Sequence, residues 1–357
     1  MMGIPMQRDF HPLTVSEIRT EIGGAATSVT FDVPLALTDL FQWTAGQHLT
    51  VRFLINGEEH RRSYTISNPP GSALRITVKR VKGGIVSNYI GDTLSAGDTV
   101  EVMPPFGQFT LNPGALKRRT HYFFGAGSGI TPLYAMINAV LADEPHSVAH
   151  LVFGNTNADH ILFQQELEQI LAQYPQRFTL RHVLSHPALL SWFSPWRTGR
   201  LDAAAIGAAI GETPPVAQDA QYWICGPGSM NTDIRAALQN LDVPDDRIHM
   251  ESFGGDTEGD LSVSGIAATA QIELNGAWHD VPVAEGQTLL EAARSAGLNP
   301  PFSCQSGVCG ACMAHLTEGT VHMRNRIALE DDDIFKGLIL CCQSVATQKN
   351  IALRFED

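Results

Sequence analysis

The chain has little of what exported, membrane-bound or nucleic-acid-binding proteins carry. Its first residues, Met1 to Phe10, hold no apolar run behind a basic front, so no signal peptide is expected. The most apolar window, Tyr122 to Ala142, is broken by three glycines and a proline, which argues against a membrane span. Bases are scarce: 24 Lys and Arg stand against 37 Asp and Glu, a net charge of −13, which argues against nucleic acid as a partner. The 13 histidines form no Cys-x-His pair, so a Rieske centre lacks its two histidine ligands. A single Cys-x2-Cys knuckle, Cys309/Cys312, falls short of the two that structural zinc usually takes. Nothing suggests a secreted disulfide framework, and there is no internal repeat. A cytoplasmic chain with reduced thiols is the expectation. At 357 residues, with 44% hydrophobic and 17% charged content, two or three globular domains are expected.

The few cysteines that exist are concentrated. Cys304, Cys309 and Cys312 lie on one stretch and Cys342 follows much later, next to Cys341. This is the C-x4-C-x2-C…C spacing at which four thiolates hold a plant-type [2Fe-2S] cluster. Ser306, Gly307 and Gly310 are small enough to let the backbone wrap closely. The fourth ligand has to come from elsewhere in the chain. Neighbours in a strand point to opposite faces, so only one of Cys341 and Cys342 can turn to the cluster.

Three patterns follow one another along the chain. Residues 7–112 read as an all-β barrel or sandwich, with alternating runs such as Arg75 to Val81 between breakers at Asn68-Pro69-Pro70-Gly71 and Pro104-Pro105-Phe106-Gly107. Residues 118–253 alternate apolar strands with helical segments, which implies a parallel sheet with helices on both faces. Residues 254–268 read as a linker. Residues 269–357 form the cysteine-bearing end, with strand-like Gln271–Leu274 and a short helix over Thr288–Ser295. This end is acidic, with eleven acids to six bases including Glu330-Asp331-Asp332-Asp333, whereas residues 1–117 balance at ten each. Such a run is either a solvated face or a docking element.

Two glycine stretches point to phosphate. Lys82-Gly83-Gly84-Ile85-Val86-Ser87 precedes a helical start, where free backbone N–H groups can bind a pyrophosphate. An arginine aimed at the same place would add a charge-assisted clamp, and Arg61-Arg62-Ser63-Tyr64-Thr65 lies about 20 residues upstream. Gly125-Ala126-Gly127-Ser128-Gly129-Ile130-Thr131-Pro132 joins a strand to a helix. It lacks the third glycine of the dehydrogenase fingerprint, because Ile130 stands there.

These motifs together resemble the ferredoxin–NADP reductase superfamily, in which Arg-x-Tyr-Ser/Thr binds flavin and Gly-Gly-x-x-Ser holds its pyrophosphate. The resemblance implies that Arg62 contacts the FAD pyrophosphate, Tyr64 packs on the isoalloxazine and Thr65 lies near flavin N5. It implies that Gly83, Gly84 and Ser87 hold the phosphates, and it favours FAD over FMN. The family's Gly-x-Gly-x-Gly-x-x-Pro implies nicotinamide dinucleotide at Gly125, Gly127, Gly129, Thr131 and Pro132. Cys225-Gly226-Pro227-Gly228 resembles its Cys-Gly-Pro motif beside the nicotinamide, and Glu251-Ser252-Phe253 resembles its Glu-x-Phe element near the flavin. Thr156 stands where many relatives place an arginine for a 2′-phosphate, which inclines the expectation to NADH over NADPH, although Arg181, Arg197 or Arg200 could substitute. The resemblance to plant-type ferredoxins picks Cys342, within Cys342-Gln343, as fourth ligand and leaves Cys341 as a buried small hydrophobe.

The order of flavin barrel, nicotinamide domain and C-terminal ferredoxin resembles reductase components of multicomponent oxygenases, including the phenylacetyl-CoA epoxidase reductase type. The implied fold is an antiparallel FAD-binding β-barrel, an α/β parallel-sheet domain and a β-grasp-like [2Fe-2S] domain. The implied activity passes electrons from NAD(P)H through FAD to the cluster, with Tyr64, Thr65 and Cys225 at the hydride-transfer site. The implied partner is an oxygenase or another one-electron acceptor docking near the ferredoxin domain. Two other readings are a redox-sensing iron–sulfur protein and a stand-alone flavin or ferredoxin reductase.

Overall fold

The computed structural model describes residues 9–186, 197–227, 229–253, 260–329 and 331–355. Residues 7 and 8, Gly228, residues 254–259, Glu330 and residues 356–357, all named or spanned above, lie outside the described residues. Three main sheets follow one another along the chain.

The first is antiparallel, built from β1 (His11–Glu21), β2 (Ala26–Asp32), β3 (His48–Ile55), β4 (Glu58–Thr65), β5 (Leu74–Lys79) and β6 (Thr99–Phe106) in the order β4-β3-β6-β1-β2-β5. Its edges meet where Ile66 bridges Ile76 and the Ser67 N–H donates to the Arg75 carbonyl at 2.7 Å, closing a barrel. Helix α1 (Ile85–Asp92) adds Val86 and Ile90 to a core of Leu13, Val29, Leu49, Val51, Ile76 and Val102. Asn56-Gly57 joins β3 to β4 with positive φ at both residues, the two-residue turn whose twist matches a hairpin. Strand β6 runs through Pro104 and Pro105, although their pattern in the sequence is that of a breaker. The register against β3 shifts there, so the missing N–H groups leave no ladder position empty.

The second sheet is all parallel: β7 (Thr120–Ala126), β8 (Val148–Asn155), β9 (Phe178–Leu184), β10 (Arg197–Thr198), β11 (Ala220–Cys225) and β12 (Ile248–Glu251), ordered β10-β9-β8-β7-β11-β12. Both faces are covered. Helices α2 (Ile130–Asp143) and α3 (Gln164–Gln173) pack with His121-side residues such as Phe123 and Leu151, while α4 (Ala203–Glu212) and α5 (Met230–Gln239) pack with Tyr122, Phe124 and Ile224. That double burial is why these strands are continuous apolar runs. Strand order reverses around β7, so its carboxyl end and that of β11 border the crevice where such sheets bind ligands.

The third sheet is mixed. It contains β13 (Ala268–Leu274) and β14 (Ala277–Val283), then helix α6 (Leu289–Ser295), β15 (Met313–Glu318), β16 (Val321–Met323), helix α7 (Asp331–Phe335), β17 (Leu338–Leu340), β18 (Ser344–Ala346) and β19 (Asn350–Phe355) in sequence. The main order is β14-β13-β19-β15-β17, with β16 and β18 paired apart. Helix α6 lies on it through Leu289, Leu290, Ala292 and Ala293, and starts at a capping box of Thr288 and Glu291. The fold class is the one expected from the sequence: barrel, doubly covered parallel sheet and β-grasp-like domain.

Candidate functional site

At the crevice, β7 ends in Gly125 and Ala126, and Gly127 takes a positive φ before α2 begins. A Cβ on Gly129 would stand 1.9 Å from the Cys225 carbonyl oxygen, so only glycine lets the turn lie against the Cys225–Gly226 peptide. Gly125 is also crowded, by Leu133 Cδ1 at 2.8 Å from its would-be Cβ. The Thr131 hydroxyl donates back to the Ser128 carbonyl at 3.0 Å, and Pro132 sits in the first helical turn, where a missing N–H costs nothing. Cross-sheet register sets Gly125, Cys225 and Glu251 in one row. Gly226 is buried and Pro227 exposed at the end of that row.

Cys225 is fully buried, and burial followed by the nearby Glu251 pushes its thiol well above the ordinary range. Glu251 itself is raised to about 8 by burial, and its Oε2 has no hydrogen-bond partner. Asn231 donates to the Glu251 carbonyl at 2.8 Å. Phe253 is exposed two residues on. Thr156 is exposed just past β8. Of the three arginines that could replace it, Arg181 is engaged by Glu212 at 2.7 Å, Arg197 lies in β10 and Arg200 is exposed. Lys79, which sequence reasoning passed over, ends β5 with its ammonium 3.6 Å from where a Gly127 Cβ would stand. Its position at the end of an alternating strand was the only signal.

Strand β4 carries the Arg-x-Tyr-Thr motif and alternates its side chains. Tyr64 packs against the barrel core, and burial raises its phenol. Arg62 is exposed, with Nη1 donating to the Arg61 carbonyl at 2.7 Å, and Thr65 is buried. Gly83 has positive φ, and Gly84 is the N-cap of α1. The Ser87 hydroxyl accepts from the Val81 N–H at 3.2 Å, so it braces the glycine turn from inside. The free N–H groups at the start of α1, beside a turn open enough for glycine, fit a pyrophosphate.

The four expected cysteine ligands stand as two pairs. Cys304 and Cys309 share a thiol contact, which holds the Cys304 thiol down to about 5 with further help from the Ser306 N–H. Cys312 and Cys342 share another, and the Cys342 N–H donates to Cys312 Sγ at 3.4 Å. Cys341, its neighbour, is wholly buried in the core of this domain, and its N–H donates to the Cys312 carbonyl at 3.1 Å. Among the described residues no three ligands converge on one ion. Two thiol pairs suit two irons with two thiolates each. The loop is wound by positive φ at Gln305, Gly307 and Gly310, and tied down by Asn325 donating to the Ser306 carbonyl at 2.8 Å and Gln343 to the Gln305 carbonyl at 2.9 Å. The N–H groups of Cys304, Ser306 and Ala311 lie 3.4–3.5 Å from ligand sulfurs.

Comparison with known proteins follows the same three parts. Residues 13–111 match the oxidoreductase FAD-binding domain, 123–236 the oxidoreductase NAD-binding domain and 272–347 the 2Fe-2S iron-sulfur cluster binding domain. The chain is 32% identical to a 1,2-phenylacetyl-CoA epoxidase component from Escherichia coli (strain K12), over 97% of this chain and 98% of that protein. It is likewise 32% identical to the ferredoxin reductase component of 3-ketosteroid-9-alpha-monooxygenase from Rhodococcus rhodochrous, over 96% of each. Among solved structures, phthalate dioxygenase reductase shares the fold at a TM-score of 0.60 and 23% identity, covering 99% of this chain and all of that one.

Proposed function

Because the chain belongs to the FAD- and NAD-binding oxidoreductases that carry a C-terminal [2Fe-2S] domain, we propose that it is the reductase component of a multicomponent oxygenase. The observation that carries this reading is the paired thiols of Cys304/Cys309 and Cys312/Cys342, in a domain that touches the strand bearing Arg62, Tyr64 and Thr65. When bound, FAD accepts a hydride from NAD(P)H and releases its electrons singly, and the cluster carries one at a time.

The chain's own residues have positional tasks. Gly125, Gly127 and Gly129, with Thr131 and Pro132 opening α2, make room for the dinucleotide pyrophosphate at a helix start. Cys225, Gly226 and Pro227 border the nicotinamide, and the buried Glu251 carboxyl, neutral below about 8, can hold a proton there without adding charge. Phe253 closes this edge. Arg62, Gly83, Gly84 and Ser87 bind or brace the FAD pyrophosphate, and Tyr64 and Thr65 orient its ring. The four cysteines ligate the cluster. No general base or nucleophile is needed.

In this reading residues 7–112, 118–253 and 269–357 are the three working domains and 254–268 their linker. NADH is the preferred donor, since Thr156 offers no charge to a 2′-phosphate and Arg181 is engaged by Glu212. The expected kcat/KM for NADH exceeds that for NADPH by roughly tenfold or more, the effect of a missing charge-assisted pair. Among the described residues no helix is long and apolar enough to cross a membrane. We assign the protein to the cytoplasm, with an oxygenase docking near the ferredoxin domain. The test is anaerobic mixing of the purified holoprotein with NADH. Flavin absorbance should bleach first and cluster absorbance next, and an added oxygenase should then reoxidise the cluster. A cluster that NADH never reduces would favour a redox sensor, and a cluster that only artificial acceptors discharge would favour a stand-alone reductase.

A further inference from the structure

Strand β4 has two faces with different duties. Arg62 and Tyr64 serve the barrel side, whereas Arg61 and Ser63 point away from it. A bare outer face would leave them in water, yet Arg61 is 5% exposed. What covers them is the ferredoxin domain. The Ser63 hydroxyl donates to Ser303 Oγ at 2.9 Å, one residue before the ligand Cys304. Arg61 Nη2 donates to Asn299 Oδ1 at 3.1 Å, and its guanidinium lies over the Phe302 ring at 4.1 Å. Phe106, at the end of β6, packs against the ferredoxin core beside Gly310 of the cluster loop.

Around Arg61 the side chains form a run of alternating cations and rings. Arg52 lies over Phe10 at 4.2 Å and Arg61 over the same ring at 5.0 Å. Arg61 then faces Phe302, and Arg294 of α6 covers that ring at 4.2 Å. All four distances fall within the range at which a cation is drawn to a ring face. Three neighbouring arginines would repel one another, but Glu59 pairs with Arg61 at 2.8 Å and with Arg52 at 3.6 Å, and Glu101 also pairs with Arg52. The run thus joins the N-terminal segment, the barrel and the ferredoxin helix.

We propose that Arg52–Phe10–Arg61–Phe302–Arg294, with the Ser63–Ser303 bond, is a clamp that seats the cluster loop on the flavin-bearing strand and so sets the rate of internal electron transfer. It rests on the flavin and cluster assignments above, and Arg61, Ser63, Ser303 and Arg294 act in it as positioning residues. Each NADH supplies two electrons and one proton as hydride to the flavin. Bound flavin would pass these electrons one at a time to an oxidised cluster and release that one proton to solvent. An external one-electron acceptor empties the cluster between the two transfers.

The test uses the holoprotein and two independent readouts. The Arg61→Ala/Ser303→Ala double variant should expose residues 298–303 to amide hydrogen exchange about tenfold faster, the loss expected from one desolvated cation–ring contact and a hydrogen bond. Stopped-flow mixing with NADH should leave flavin bleaching at the wild-type rate while cluster bleaching slows. The milder Arg294→Ala variant, on an exposed residue whose removal leaves the core intact, should speed exchange in the same segment, and Arg294→Lys should restore it. Wild-type exchange at 298–303 in the double variant, or cluster bleaching that keeps pace with wild type, overturns the clamp. Failure of the reductase reading is distinct, because the wild-type cluster itself would then either stay unbleached by NADH or discharge only to artificial acceptors.

Discussion

Arg61 and Arg62 carry the same side chain and have opposite fates, one buried under the ferredoxin domain and one exposed on the other face of β4. Cys341 and Cys342 are both buried and part in another way, Cys342 pairing with the Cys312 thiol while Cys341 is wholly enclosed in the domain core. Replacing Cys342 with serine should abolish the visible absorbance of the cluster, whereas Cys341→Ser should keep it and lower stability by about 1–3 kcal/mol, the cost of a buried hydroxyl. The spectra of the two purified variants decide this, and a reversed pattern would reassign the ligand. Gly129→Ala should also be severe, because its methyl group would meet the Cys225 carbonyl. Overpacking of this kind costs about 1–3 kcal/mol. It should raise the KM for NADH alongside a lowered Tm, and an unchanged KM would remove the turn from the nicotinamide site. The candidate ligand cysteines were legible because a [2Fe-2S] cluster dictates the spacing of the thiolates that hold it. Lys79 was not, since its distance to a turn on another domain leaves no trace in the local sequence; Glu251 was named through its Glu-x-Phe resemblance, but its unpartnered oxygen depends on packing beside Cys225.

At the level of elements, β3 is buried on both faces. Leu49 and Val51 enter the barrel core, while His48 and Thr50 lie on the side that bears Ser63 and Phe106. Burial pushes His48 down to about 4, and does the same to His150 and His182 in the parallel sheet. These groups bind protons more weakly folded than unfolded. Their contribution to stability is therefore complete above about pH 6.5 and is lost as pH falls toward 4. Each adds a slope of up to ~1.4 kcal/mol per pH unit within that window. Glu144, buried against His121 at 3.0 Å, is depressed despite a desolvation that alone would raise it. Its share is held above the ordinary carboxylate range and lost at still lower pH. Denaturant midpoints should fall steadily from pH 7 to 5, and a flat profile would contradict the burial of these rings. The parallel arrangement of the second sheet was readable from its alternation of strands and helices, whereas in the ferredoxin domain only the strand at Gln271–Leu274 and the helix over Thr288–Ser295 were singled out among β13 to β19, α6 and α7. Helix α4 and strand β12 were not singled out, the first for its Ala- and Gly-rich composition and the second for its four-residue length.

For the molecule as a whole, three motifs in one order disclosed the architecture, since each glycine turn and the cysteine loop answer to a particular cofactor. The junction was silent, because Ser63 and Ser303 stand 240 residues apart and neither belongs to a recognisable pattern. The acidic run of the ferredoxin domain offers a separate test. Asp331, Asp332 and Asp333 lie in α7, where Phe335 is almost fully exposed. If these acids steer a basic oxygenase, changing all three to asparagine should slow cluster-to-oxygenase transfer by about tenfold at low salt and leave flavin-level reduction of an uncharged artificial acceptor unchanged. The wild-type rate should also fall as salt rises. A partner rate indifferent to both would make the run an ordinary solvated face.

The double-sided β4 strand has a consequence for chimeras. A ferredoxin domain transplanted from a relative by cutting within 254–268 would arrive with its own counterparts of Asn299, Phe302 and Ser303, yet face the host's residues 61 and 63. The joint is thus inherited half from each parent. A working hybrid needs positions 61 and 63 of this strand to travel with the incoming domain while 62, 64 and 65 stay with the host flavin. A single residue inserted between positions 58 and 65 would exchange the two sets and leave both parents' halves facing the wrong way.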